Sequence, residues 1–137
     1  GGRRNVVEDN EIFGNYAVGV AALEAFLLEK NPQARALEGN IVRDNRFGLG
    51  GQDLNGRELA YDGNGSGNCF GSNTGVSVTI PADRSTLAPC PFTGANTFNP
   101  GVQGEMIGLA GKAGVAKWIR HPHAPKQGFQ PLELFTP

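Results

Sequence analysis

Asparagine recurs in this chain inside one short apolar frame. The stretch Asn10-Glu11-Ile12-Phe13-Gly14-Asn15 returns as Asn45-Arg46-Phe47-Gly48-Leu49-Gly50 and again as Asn68-Cys69-Phe70-Gly71-Ser72-Asn73. The first two copies also share a lead-in, Asn5-Val6-Val7-Glu8-Asp9 against Asn40-Ile41-Val42-Arg43-Asp44. The leading asparagines stand 35 and 23 residues apart, and self-similarity at such periods marks stacked supersecondary units rather than one mixed core. Each copy is too brief for a pair of helices and suits strands of about three to five residues joined by tight bends. An asparagine at the same corner of successive units can bond to those above and below it and to turn backbone. Asn10, Asn45 and Asn68 are therefore expected to stack, with Asn15 and Asn73 at further corners. The chain reads as all-β, a coil of parallel strands with about three rungs at about 22 residues per rung.

On Asn10-x-Ile12-x-x-Asn15-x-x-x-Gly19-Val20 and its two weaker copies, covering residues 5–80, the chain resembles the right-handed parallel β-helix repeat proteins, related in fold to pectate lyases and polysaccharide epimerases. The resemblance implies a right-handed parallel β-helix and, within it, a C-terminal portion. It implies little about chemistry, because the repeat encodes a scaffold and scaffolds host many activities. Residues 1–80 are then the rungs, and residues 81–137, punctuated by proline and glycine, an irregular and partly helical cap over the last rung.

An end rung exposes strand edges and an apolar interior. The sequence enters its first rung directly after Gly1-Gly2-Arg3-Arg4, so that face is expected to meet N-terminal rungs of the same parent protein or another chain. The 137 residues hold 21 Gly and 9 Pro with only 18% charged side chains, a composition of many turns and few exposed helices. A net charge of -1 gives no reason to expect a nucleic-acid partner. No apolar run approaches a membrane span.

Along the chain, Val7, Ile12 and Val18 or Val20 are expected to point inward in the first rung. Ala22, Leu23, Phe26 and Leu27 recur at helical spacing, with Asn31-Pro32 closing the run, which predicts a short helical insertion within residues 21–37, its apolar stripe packed on the coil. The repeat sets Glu8 over Arg43 and Glu11 over Arg46, outward pairs worth about 0.2–1 kcal/mol each. It also sets Asp9 over Asp44, like charges that need a turn amide or a cation. Residues 105–119 carry Met106, Ile107, Leu109, Ala113, Val115, Trp118 and Ile119, a helix weakened by three glycines. His121-Pro122-His123 reads as surface tail rather than a metal site.

Cys69 falls next to an inward residue and so faces out, within reach of Cys90 in Ala88-Pro89-Cys90-Pro91. The two readings are a disulfide, worth about 3 kcal/mol and placing the chain in an extracellular or periplasmic compartment, and two unrelated thiols.

The richest polar stretch, residues 52–68, supplies Asp53, Glu58 and Asp62 as candidate acids and bases and Arg57 as a candidate carboxylate clamp. Asn55, Tyr61 and Asn64, with Arg43 and Arg46 on the outward faces, are candidates for contacting a substrate. Asp62-x-Asn64-x-Ser66-Gly67 matches the first half of a calcium loop, but Asn73 stands where a bidentate Glu is needed, so no cofactor is expected, with calcium as the alternative at this stretch. By resemblance the ligand class is a polysaccharide or glycan, held along an outer groove walled by residues 21–38 and 52–66. The leading expectation is a non-catalytic module of a secreted protein that binds glycan or ends a larger β-helix. The alternative is a polysaccharide lyase, hydrolase or epimerase with its site in residues 52–66.

Overall fold

The computed structural model describes residues 1–15, 17–53 and 55–113. The chain makes three passes, each contributing one short segment to each of three parallel arrays. The first pass holds β1 (Val6–Glu8), β2 (Glu11–Ile12) and β3 (Val20–Ala22). The second holds β4 (Ile41–Arg43), β5 (Arg46–Phe47) and β6 (Leu59–Tyr61). The third holds β7 (Cys69–Gly71), a bridge at Thr74 beside Arg46, and β8 (Thr79–Ile80). The sheets run β1-β4-β7, β2-β5 and β3-β6-β8, and every pairing between these strands is parallel.

The strands are short because a left-handed residue ends them at regular intervals, immediately before a ladder asparagine. Asp9, Asp44 and Ser72 have φ of 57°, 55° and 54° ahead of Asn10, Asn45 and Asn73. Arg4, Gly39 and Gly67 take the same role ahead of Asn5, Asn40 and Asn68, with φ of 53°, 64° and 65°. Such a residue turns the chain sharply, and Asp and Gly tolerate the conformation at least cost. The asparagine that follows then spans two passes.

Two ladders result, and they correct the expected stack. Asn10 donates to Asn45, and Asn45 to Asn73, with side-chain bonds of 3.0 Å at each step. Asn5 donates to Asn40, Asn40 to Asn68 and Asn68 to Asn96, at 3.0, 2.8 and 3.0 Å. Asn68 therefore stands over Asn40 and not over Asn45, because the register between β4 and β7 is Ile41↔Cys69. Asn15 donates to Asn55 at 3.0 Å in a third, shorter ladder. The passes are not evenly spaced at 22 residues either. Val6 pairs with Ile41, Ile41 with Cys69 and Leu59 with Thr79, so the intervals are 35, 28 and 20 residues, set by how much chain leaves between corners.

Alternation along the strands separates two cores. Leu37, Val42, Phe47, Leu59, Tyr61 and Phe70 pack together, with Val7, Ile12 and Val20 against them as expected, and the Tyr61 and Phe70 rings lie 5.1 Å apart. Ala60 points to the opposite face of β6 from its neighbours Leu59 and Tyr61, and joins Ile80 with Val102 and Leu109 of α2 (Pro100–Ala113). Val102, Met106 and Leu109 recur at helical spacing, so α2 lays one stripe on the outer face of β6 and β8. Val18 and Leu23 belong to this second cluster. The helix begins five residues before the expected start at 105, and Val115, Trp118, Ile119, His121 and His123 lie outside the described residues.

The insertion at 21–37 differs from expectation. Ala22 is in β3, and residues 26–28 form a turn in which Leu28 N–H reaches the Ala25 carbonyl at 3.0 Å. Leu27 is 72% exposed, so the stripe does not pack as one helical face, although Ala22 packs on the first core and Leu23 on the second. The helix within this stretch, α1 (Pro32–Arg35), starts at the pair expected to stop one, since Asn31 accepts from Gln33 N–H and Pro32 occupies the first helical turn.

The outward charge pairs hold. Arg43 meets Glu8 at 2.7 Å and Arg46 meets Glu11 at 3.9 Å. Arg43 also lies 3.7 Å from Asp44, supplying a cation to the stacked Asp9 and Asp44 positions. Cys69 pairs in register with Ile41 rather than with Arg46, yet faces outward and is disulfide-bonded to Cys90. No helix among the described residues is long and apolar enough to cross a membrane.

Candidate functional site

Where β5 ends, the chain makes a tight reversal, Leu49-Gly50-Gly51-Gln52, closed by reciprocal backbone bonds of 3.0 Å between Leu49 and Gln52. Gly50 and Gly51 both have positive φ, 57° and 79°, as a two-residue hairpin turn requires. This reversal stands beside the third pass and leaves a cleft of about 550 Å³ whose polar walls are Glu11, Arg46, Gln52, Asp53, Thr74 and Ser77. The size falls in the range of small-ligand sites. Gly48 and Gly75 shape its floor: a Cβ at Gly48 would strike the Gln52 carbonyl and one at Gly75 the Phe47 carbonyl.

Two of the four candidate acids and clamps, Asp53 and Glu58, come together through Ser77, and of these Asp53 lines the cleft. Ser77 Oγ donates to Asp53 Oδ2 at 2.8 Å and stands 3.1 Å from Glu58 Oε2. Asp53 lines the cleft and its other oxygen accepts from Asn55 N–H at 3.2 Å. Glu58 is fully buried behind it, its Oε2 accepting from Ser77 N–H at 3.0 Å and Val78 N–H at 2.6 Å. Burial pushes the Glu58 carboxyl above its ordinary value, the Val78 N–H pulls the other way, and Asp53 beside it adds to the rise by hydrogen bonding and like charge. Glu58 Oε1 is buried without a hydrogen-bond partner among the described residues, an arrangement that a protonated carboxyl tolerates better than a carboxylate.

Asp62 is elsewhere. It follows β6, a strand's length from Glu58, and is fully buried. Its Oδ2 accepts from Glu24 N–H at 2.8 Å and the Gln103 amide at 2.9 Å, and its Oδ1 from Asn64 N–H at 3.0 Å. It joins the 21–38 excursion to α2. Arg57 is half-buried between Gly56 and Glu58, and does not line the cleft.

Of the expected contact residues, Arg46 lines the cleft while Arg43 is engaged with Glu8 on the neighbouring sheet. Asn55 is buried in the third ladder, where it donates to the Ile12 carbonyl at 2.9 Å. Tyr61 is fully buried, its hydroxyl donating to Asn64 O at 2.7 Å and accepting from Asn68 at 2.9 Å. Asn64 Oδ1 accepts from Leu37 N–H at 3.3 Å. Asp62 and Asn64 of the calcium motif thus already accept from backbone N–H groups and the Gln103 amide, and no group of three or more His, Cys, Asp or Glu among the described residues is placed to hold a metal.

The cleft wall is the 48–53 reversal. Residues 52–66 are not one projecting loop, since they carry the Asn55 corner, Glu58 and all of β6. Ser77, Thr74 and Gln52 complete the site; Ser77 lies in Val76-Ser77-Val78-Thr79-Ile80, whose apolar-polar alternation gives no hint of a carboxyl partner. No family model, curated protein or solved structure matches this chain.

Proposed function

We propose that this chain is a non-catalytic repeat module of a secreted protein, a right-handed parallel β-helix of about three rungs that binds a glycan in the cleft beside Asp53. The observation that carries the reading is the open cleft of about 550 Å³ along the outer side of β5, walled by a cation, two carboxylates, an amide and two hydroxyls. Sugars are recognised by such mixed donor and acceptor sets, and a cleft running across stacked passes suits an extended chain. Three passes in parallel register with ladders at their corners support the β-helix architecture. The Cys69–Cys90 disulfide supports an extracellular or periplasmic location.

The enzymatic alternative, a lyase, hydrolase or epimerase, is favoured by the Asp53–Glu58 pair, two carboxyls held against one hydroxyl. It is the weaker reading because only Asp53 reaches the cleft. Glu58 is enclosed, and Asp62 and Arg57 do not join them. Hydrolysis needs both carboxyls to reach the bond to be broken.

Calorimetric titration with a panel of neutral and acidic oligosaccharides tests the proposal. At least one is expected to bind, and Arg46→Ala combined with Asp53→Asn is expected to weaken that binding by about tenfold or more without changing the melting temperature. Binding to no member of the panel, or binding indifferent to both substitutions, overturns it. Release of oligosaccharide products that stops in Asp53→Asn would favour the enzymatic reading instead.

A further inference from the structure

The asparagine ladders have a direction. In every step the backbone N–H and Nδ2 of one asparagine donate to Oδ1 of the asparagine in the next pass. Asn5 does so to Asn40, Asn10 to Asn45 and Asn15 to Asn55, at 3.0–3.2 Å. Asn40, Asn45 and Asn68 repeat the pattern into the third pass and Asn96. It follows that Oδ1 of Asn5, Asn10 and Asn15 accepts from no described residue, although the same atom in the second pass takes two donors.

The backbone behaves in the same way. Ile41, Arg46 and Gly48 in the second pass donate their N–H groups back to Asn5, Asn10 and Ile12. Val6, Glu11 and Phe13 occupy the corresponding register positions in the first pass, and no described strand precedes them. Val7, Ile12 and Val20 are only half-buried, whereas their register partners Val42, Phe47 and Leu59 are buried. The three edges lie at the same end of their sheets, so backbone groups, corner acceptors and apolar side chains are open together.

We propose that the face formed by β1, β2 and β3 is a docking surface for one further parallel layer of asparagine-cornered repeat, presented by another stretch of repeat polypeptide. The inference rests on the layered reading of the fold and is independent of glycan binding. Donor and acceptor matching selects this occupant. Two copies of this chain set face to face would oppose acceptor to acceptor at all three corners. A second copy stacked head to tail would match at only one corner of three, because at its far end Asn96 N–H goes to the Gly65 carbonyl and Asn55 N–H to Asp53, which leaves the paired N–H and Nδ2 donors at Asn73 alone. A preceding layer of the same polarity offers an N–H and an Nδ2 at every corner.

The test extends the full chain by a tandem copy of residues 1–35 ahead of Gly1, which continues the 35-residue register between β1 and β4. Amide hydrogen exchange is then compared between the extended and original chains. Exchange at Val6, Glu11 and Phe13 of the original first pass is expected to slow by about tenfold or more, with the extended chain eluting as a monomer. A second extended chain, with Ala at the three asparagines of the added copy, is expected to lose most of that slowing. Unchanged exchange at these amides overturns the proposal, as does an extended chain that loses protection in β4 and β6. An original chain that is already dimeric with these amides protected overturns it in favour of a second copy. Absence of protection in β4 and β6 of the original chain would defeat the layered reading itself, an outcome distinct from failure of the docking alone.

Discussion

Glu58 shows how one side chain can be both structural and titratable. Its carboxyl anchors the backbone of Ser77 and Val78, and its burial beside Asp53 raises its protonation point above the ordinary 4.5. The folded state then holds the proton more tightly than the unfolded state. The stability contributed is fully present below pH 4.5 and is lost as pH rises through the raised value. Chemical denaturation across that window is expected to show stability falling with pH, and Glu58→Gln, which keeps an acceptor for both N–H groups, is expected to flatten the slope. Glu58→Ala leaves those N–H groups without a partner and should cost about 2 kcal/mol. Asn45 is the corresponding test inside a ladder: fully buried, it accepts twice from Asn10 and donates to Val7, Arg43 and Asn73. Asn45→Ala is expected to lower unfolding stability by about 3 kcal/mol. At this scale the sequence made Asp53 and Glu58 visible as a polar cluster. It could not reveal that Asp62, four residues on, is committed at the far end of β6 to Glu24 N–H and the Gln103 amide, because the docking of the 21–38 excursion and of α2 decides that.

Among elements, the parallel sheets and the charge pairs were legible and the third pass was not. The corner asparagines recur every five residues, at Asn5, Asn10 and Asn15, at Asn40 and Asn45, and at Asn68 and Asn73. A pattern with that internal period can be aligned one corner out with little loss of similarity, and the Asn10-Asn45-Asn68 stack is that slip. The left-handed residue before each asparagine breaks the ambiguity, since Asp44-Asn45 corresponds to Ser72-Asn73 and Gly39-Asn40 to Gly67-Asn68. Asn31-Pro32 was misread for a different reason: the pair can end one helix or begin another, and only the bond from Gln33 N–H to Asn31 decides. Cys69 shows that facing outward does not depend on which outward row is chosen. The disulfide closes a separation of 21 residues, and replacing both cysteines by Ser is expected to lower stability by about 3 kcal/mol, read from denaturant unfolding with the slope fitted for each protein, since the uncrosslinked unfolded chain exposes more surface.

For the whole molecule, the architecture places a cleft on its flank and an open strand edge at one end. The cleft exists because the passes differ in length, letting the 48–53 reversal stand out beside a third pass that returns more directly. The open face exists because ladder polarity leaves its acceptors at the first pass. Both depend on the order in which strands stack, so the register of the third pass is the claim to test first. Backbone nuclear Overhauser contacts in a perdeuterated, amide-protonated sample measure it directly. The account predicts cross-strand contacts linking Val7, Val42 and Phe70, the 35- and 28-residue registers of β1, β4 and β7. Contacts that instead join Phe70 to Phe47, the 23-residue alignment, would contradict it.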